Sequence, residues 1–182
     1  MQRDLIKHCR QCGSSVHHRV PDDGDTRERA ICPACGTIHY VNPLLVVGTV
    51  PYLGDQVLLC KRAIEPRHGK WTLPAGFMEM GETMQQGAAR ETAEEAGAEV
   101  TMGPLFSTLS VPRVGQVHVF YLAPMKHGRC VGFGHETQEV RLFTESDIPW
   151  AEIAFTTVRR TLECFFEDRR QGRFGMHDVD IA

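Results

Sequence analysis

The sequence predicts an α/β (α+β) fold, a mixed sheet sandwiched between helices, with a small cysteine-rich unit ahead of it. Three observations lead there. Runs rich in β-branched and aromatic residues alternate with helical periodicity through most of the 182 residues. The composition, 42% hydrophobic and 24% charged, is that of a globular chain long enough to bury a core. The segment up to Tyr40 carries four of the seven cysteines and little continuous apolar pattern.

The elements follow in order. From about Leu5 to Tyr40 the chain cannot bury enough apolar surface to fold without a staple. Within it, "PDDGDTRERA" is polar and turn-rich and reads as a loop leading back into a strand. "VNPLL" marks a boundary, dividing the chain into residues 1–41 and 42–182. "LLVVGTVPYL" and "QVLLCKR", on either side of the turn "GD", read as strands. "EPRHGKWTLPAG" is a loop holding a short strand. A helix is expected from about Met84 to Ala96, because Thr83 and Gln86 form a capping box and Gly97 is placed as a stop. Its packing face would carry Met84, Ala88, Thr92 and Ala96. "TMGPLFSTLSVP", "QVHVFYLAPM" and "EVRLFT" are further strands. "AFTTVRRTLECFFEDRRQG" is the last helix, with Phe155, Val158, Leu162, Phe165 and Phe166 at helical spacing for core or dimer packing.

Several function classes lose their support early. No run of about 18 apolar residues exists, which argues against a transmembrane helix. "MQRDLIKHCRQCG" lacks the apolar stretch of a secretory signal and reaches a cysteine pair too soon for a transit peptide, so a cytoplasmic protein is expected. The net charge of −3 makes no global case for nucleic acid or membrane. An odd cysteine count with paired spacing argues against a disulfide framework. Cys60, Cys130 and Cys164 sit in apolar surroundings and read as core residues.

Two motifs carry chemistry. In "HCRQCG" and "ICPACG", Cys9 and Cys12, then Cys32 and Cys35, are spaced for tetrahedral Zn²⁺. A complete thiolate set leaves no open position, so the metal is expected to be structural. Gly13 and Gly36 let the chain turn so that amides point towards sulfur. The rival reading, a ribbon that binds nucleic acid, rests on Lys7, Arg10, Arg19, Arg27 and Arg29, but Asp22, Asp23, Asp25 and Glu28 are interleaved with them.

The second motif is "GFMEMGETMQQGAARETAEEAGA", from Gly76 to Ala98. Glu91, Glu94 and Glu95 share one side of the expected helix, where like charges repel. A divalent cation would remove the repulsion, and carboxylates are what Mg²⁺ and Mn²⁺ prefer. The bland alternative is a solvated acidic face paired to Arg90.

The full spacing goes further. Gly76 is followed after five residues by Glu82, after seven more by Arg90-Glu91, then by Glu94-Glu95 and Gly97. This resembles the Nudix box of the Nudix hydrolases, with Thr92 and Ala98 where a bulkier aliphatic is usual. The resemblance implies attack of water on a nucleoside diphosphate derivative, assisted by Mg²⁺ or Mn²⁺. It implies Glu91 and Glu95 as metal ligands, with the Ala75 carbonyl beside them. Glu94 would be a ligand or the base, and Arg90 with Glu82 an orienting ion pair. In "GHETQEVRLFTESDIP", Glu139 is a candidate further ligand and Glu136 a candidate base.

Two ribbon-bearing groups of the family are relevant. NADH pyrophosphatases carry "SQPWPFPxS" after the box, and this chain has "LFSTLSVPRVGQVHVFYLAPM" there. The chain is more similar to the FAD and ADP-ribose pyrophosphatases of plant plastids and their bacterial relatives, through "VLLCKR", "HGKWTLPAGFMEMGE", "EEAGA" and "EVRLF". The expected substrate is therefore FAD or ADP-ribose, and the expected assembly a homodimer with no nucleic-acid partner. The alternatives are an NADH pyrophosphatase, a hydrolase of capped RNA, or a nucleic-acid-binding regulator. Trp71, Phe77, Tyr121 and His118 are candidate base contacts, and Arg62, Arg67, His68 and Lys70 candidate phosphate contacts.

Overall fold

The computed structural model describes residues 6–130 and 133–182; the expected start of the first unit, at Leu5, lies outside the described residues. The chain forms two compact units, one ending at Pro43 and one spanning Leu44–Ala182.

The first unit is a three-stranded antiparallel sheet of β1 (His17–Arg19), β2 (Arg29–Ile31) and β3 (Ile38–His39). Its polar loop is folded around Asp25, whose carboxylate accepts the Thr26 and Arg27 amides at 2.7 and 3.0 Å and the Arg29 guanidinium at 2.7 Å. The Arg29 contact, ahead of the amides, holds that carboxyl below its ordinary range.

The second unit is built on a nine-stranded sheet. Its strands are β4 (Leu44–Leu53), β5 (Gln56–Arg62), β6 (Trp71–Thr72), β7 (Ala75–Phe77), β8 (Ala98–Val100), β9 (Leu105–Val111), β10 (Gln116–Cys130), β11 (Thr137–Phe143) and β12 (His177–Asp180). The main path runs β11-β5-β4-β10-β9-β12, with β6 on β5, β7 on β4 and β8 on β10. The sheet is mixed: β10 is parallel to β4, and β12 is parallel to β9. Two helices, α1 (Met84–Ala96) and α2 (Thr156–Arg170), complete the unit.

Strand alternation divides the core between the helices. Val57 and Leu59 of β5 and Phe120 and Leu122 of β10 pack with Val158, Leu162, Phe165 and Phe166 of α2. Leu58 and Cys60 of β5 pack with Ala96, while Val119 and Tyr121 of β10 pack with Ala88 of α1. The expected stripe of α2 is thus core. The α1 face differs from expectation at one end: Ala88, Thr92 and Ala96 are buried, but Met84, in the first turn, is 38% exposed. Cys60 is buried as expected, whereas Cys130 and Cys164 are only partly so.

Helix α1 starts and stops as the sequence predicts. Thr83 Oγ1 accepts the Gln86 amide at 3.2 Å, and Gln86 Oε1 accepts the Thr83 amide at 2.8 Å. Gly97 ends it at φ 57°, a left-handed conformation that a side chain would strain. Thr92, which departs from the usual aliphatic, uses its hydroxyl: it donates to the Ala88 carbonyl and lies 2.7 Å from the buried Thr49 hydroxyl of β4. That bond ties the glutamate-bearing helix to the middle of the sheet.

Candidate active site and metal centres

The two cysteine pairs form matching turns. In the first, the Gly13 amide donates to the Cys9 carbonyl and the Cys9 amide to Ser14; in the second, Gly36 donates to Cys32 and Cys32 to Thr37. The four Sγ atoms lie within 4.8 Å of one another, with Cys9–Cys35 at 3.6 Å and Cys12–Cys32 at 3.5 Å. A tetrahedron of sulfurs about 2.3 Å from Zn²⁺ has edges of about 3.8 Å, so the donor set fits that ion. The Gln11 amide points at Cys9 Sγ, 3.4 Å away, and stabilises thiolate charge.

The glutamates of α1 border a cavity of about 1070 Å³ in the second unit. Glu91, Glu94 and Glu95 all line it, with Arg90, Ala75 and Gly76. Glu95 has one partner, and Glu91 and Glu94 share another. Glu95 accepts the Ala75 amide at 3.0 Å. Glu91 and Glu94 take the same Arg90 nitrogen, at 2.7 and 3.3 Å. The rest of that guanidinium grips Glu82 with two bonds, at 2.8 and 3.1 Å. Arg90 therefore bonds three acids: Glu82, the partner that the resemblance implied, and the two glutamates Glu91 and Glu94.

Gly76 leaves room for the Glu91 carboxylate: a Cβ there would lie 2.3 Å from it and push it aside. β7, paired to β4, brings this glycine against the helix.

Burial sets the charges. Desolvation pushes Glu95 up to about 7 despite the Ala75 amide, with Glu91 and Glu136 adding repulsion. Desolvation also raises Glu91, against the pull of Arg90. Glu82 is lowered, first by Arg90 and then by the Glu79 amide, which donates at 2.7 Å. Carboxylates whose ionisation burial opposes, set beside more acids, form a hard-oxygen donor set that a divalent cation would satisfy. Among the described residues the four cysteines are the tight ligand cluster, and the glutamates stand in the arrangement Arg90 imposes.

The remaining expectations divide. Glu136 lines the cavity. Glu139 does not; it lies 3.8 Å from Lys61 on the neighbouring strand. Arg62 lines the cavity, its Nε donating to the Pro66 carbonyl at 2.9 Å, whereas Arg67, His68 and Lys70 do not. His118 and the exposed Phe77 line it too. Trp71 and Tyr121 are core residues on opposite faces of the sheet. Three features were absent from the sequence reading: the Ala75 amide on Glu95, a Gln116–His118 pair, and the Gly134 amide, which donates to the Glu94 carbonyl at 2.6 Å. Each depends on strand or loop placement that residue spacing does not encode.

Comparison with known families agrees with this geometry. Residues 43–162 match the NUDIX domain, and residues 7–41 match the zinc ribbon found as a Nudix N-terminal region. The chain belongs to the NUDIX domain family. A crystallised Nudix hydrolase from Nitrosomonas europaea is 47% identical, with a TM-score of 0.89 over 97% of this chain and 100% of its own. The NAD-capped RNA hydrolases NudC of Stutzerimonas stutzeri and Deinococcus radiodurans are 30% and 31% identical over 91% and 85% of this Nudix chain. It spans 57% and 55% of their lengths. An ADP-ribose pyrophosphatase from Streptococcus suis, 22% identical with a TM-score of 0.61 over 75% of this chain and 99% of its own, shares the fold. No helix among the described residues is long and apolar enough to cross a membrane.

Proposed function

We propose that this Nudix chain is a divalent-cation-dependent pyrophosphohydrolase of dinucleotides, acting on NAD(H) ahead of FAD and ADP-ribose. The observation that carries the reading is the meeting of Glu91, Glu94, Glu95 and Glu136 on one cavity large enough for a dinucleotide. The other walls include Val46, Phe120, Phe155 and Val158, an apolar lining that suits heteroaromatic rings.

Bound Mg²⁺ or Mn²⁺ would neutralise phosphate charge, acidify the attacking water and align the displacement. Glu91, Glu95 and the Ala75 carbonyl would hold the cation. Arg90, fixed by its two bonds to Glu82, keeps Glu91 and Glu94 turned together. Glu94 or Glu136 takes the water proton. Water adds to one phosphorus as the anhydride P–O bond breaks, releasing two monophosphates, both mononucleotides when the substrate is a dinucleotide. Glu139, outside the cavity lining, is left out of this set.

The relatives support placing NAD(H) first, since those reported at about 30% identity are named NAD-capped RNA hydrolases. The expected kinship with FAD and ADP-ribose enzymes of plastids gains no support from them. The expectation of no nucleic-acid partner loses its support for the same reason, because NAD-linked RNA presents the same diphosphate. The test is product chromatography with Mg²⁺ or Mn²⁺ and a panel of NADH, FAD, ADP-ribose and an NAD-capped oligonucleotide. AMP release fastest from NADH is expected. Preference for FAD or ADP-ribose would restore the plastid-like reading. Preference for the capped oligonucleotide would make RNA the substrate, and no cleavage would overturn the hydrolase reading. A homodimer is also proposed, checked by light scattering against the 20.4 kDa chain mass.

A further inference from the structure

The end of the cavity formed by β10 and the start of α2 carries a polar pair that the hydrolytic chemistry does not use. Gln116, His118 and Phe120 are alternate residues of β10 and all line the cavity. His118 Nε2 lies 3.0 Å from Gln116 Oε1. An amide oxygen only accepts, so Nε2 carries the proton and donates. Burial pushes His118 down to about 4, so the ring is neutral at physiological pH. The tautomer is thereby fixed: Nδ1 is left as a bare acceptor, and the Gln116 amide nitrogen as a donor. Among the described residues neither atom has a protein partner.

The surroundings suit a flat ring. Phe120, Phe155 and Val158 are apolar lining, and the Arg62 guanidinium lies 5.1 Å from the Phe155 ring centroid. An apolar slot with one oriented donor–acceptor pair is the common form of a ring-recognition site.

We propose that Gln116 and His118 form a specificity subsite for a heteroaromatic group bearing an adjacent N–H donor and acceptor, the donor meeting His118 Nδ1 and the acceptor meeting the Gln116 amide. Two parts of the same substrate have that chemistry: the amino edge of adenine, and the carboxamide of nicotinamide. The inference rests on the dinucleotide reading above, and its test is made independent of turnover.

The experiment is equilibrium binding, by calorimetry, to the zinc-loaded full chain without added divalent cation. The probes are NADH, its hypoxanthine analogue and its 3-acetylpyridine analogue. The hypoxanthine ring reverses the donor–acceptor order of adenine; the acetyl group removes the carboxamide donor. Wild type should bind one analogue about 10- to 100-fold more weakly than NADH, and the analogue that loses affinity names the ring in the subsite. His118→Phe keeps a flat ring without the acceptor, and should weaken NADH while erasing that discrimination. Gln116→Leu should do the same. Equal affinity of wild type for all three probes, or His118→Phe that still discriminates, would overturn the subsite. Cleavage of NADH, measured separately with Mg²⁺, reports on the hydrolase reading alone.

Discussion

Glu95 shows how a single side chain can be costly to the fold and useful to the site. Its pKa in the folded protein stands at about 7 against an ordinary 4.5, because burial disfavours the charge. Below pH 4.5 the group is neutral folded and unfolded, and burial costs little. As pH rises towards 7 the unfolded chain is ionised while the folded one resists, so folded stability falls and the full cost is present above 7. Glu95→Gln removes that ionisation and can still accept the Ala75 amide. The variant should gain roughly 1–3 kcal/mol over wild type in chemical denaturation at pH 8 without divalent cation, and nothing at pH 4. With Mg²⁺ it should lose turnover by about 10²-fold or more. A variant that turns over normally would remove Glu95 from the site. Gly76→Ala, whose Cβ would sit 2.3 Å from the Glu91 carboxylate, should lower kcat at least about tenfold with the fold retained by circular dichroism. Glu91, Glu94 and Glu95 were legible as one cluster because helical periodicity gathers them, whereas Glu82, which precedes α1, and its pairing with Arg90 came only from the resemblance to the Nudix box. Glu139, a candidate drawn from the resemblance, does not line the cavity: likeness of a strand says which face a residue takes, not how far along the cleft its strand lies.

At the scale of elements, α1 was readable to the residue at both ends, because capping chemistry is local. Thr83→Ala should cost about 1 kcal/mol by removing the cap, with kcat unchanged, since Thr83 is not part of the cavity lining. A fall in kcat out of step with stability would show that the start of α1 controls the glutamates. Strand β12 was not legible. "HDVD" offers a single apolar residue, too little for a strand pattern. It exists because β9 presents an open edge and because α2 supplies a clasp. The buried Asp168 accepts the Gly175 amide at 2.7 Å and lies 2.8 Å from His177 Nε2. Phe106 of β9 lies edge-on to the His177 ring at 5.1 Å. Asp168→Ala strands both donors and should cost about 1–3 kcal/mol. Amide exchange should quicken in β12 first, ahead of β9 and β10; uniform quickening across the sheet would mean that Asp168 supports the core and not the terminal strand.

At the scale of the molecule, the two units are stabilised by different means, and that difference predicts how they come apart. The second unit has a continuous core running from Val50 through Phe120 to Phe165. In the first, the buried apolar side chains among the described residues are Cys9, Pro21, Ala30, Ile31 and Cys32. That is far too little to offset the ordering of the segment, at about 1.5 kcal/mol per residue, so the balance must come from thiolate–metal bonds. The cysteine spacing announced this, and the sulfur positions agree with it. Metal analysis should find one zinc per chain. Chelation should release it and erase amide protection in β1, β2 and β3, while β4, β5 and β10 keep theirs. Proteolysis of the chelated protein should then open "PDDGDTRERA" and leave a resistant fragment beginning near Leu44. The fragment should retain the Glu95-dependent Mg²⁺ stabilisation, because every residue assigned to that cation lies beyond Pro43. Loss of protection in β10 together with the ribbon would instead show that zinc holds both units as one cooperative fold.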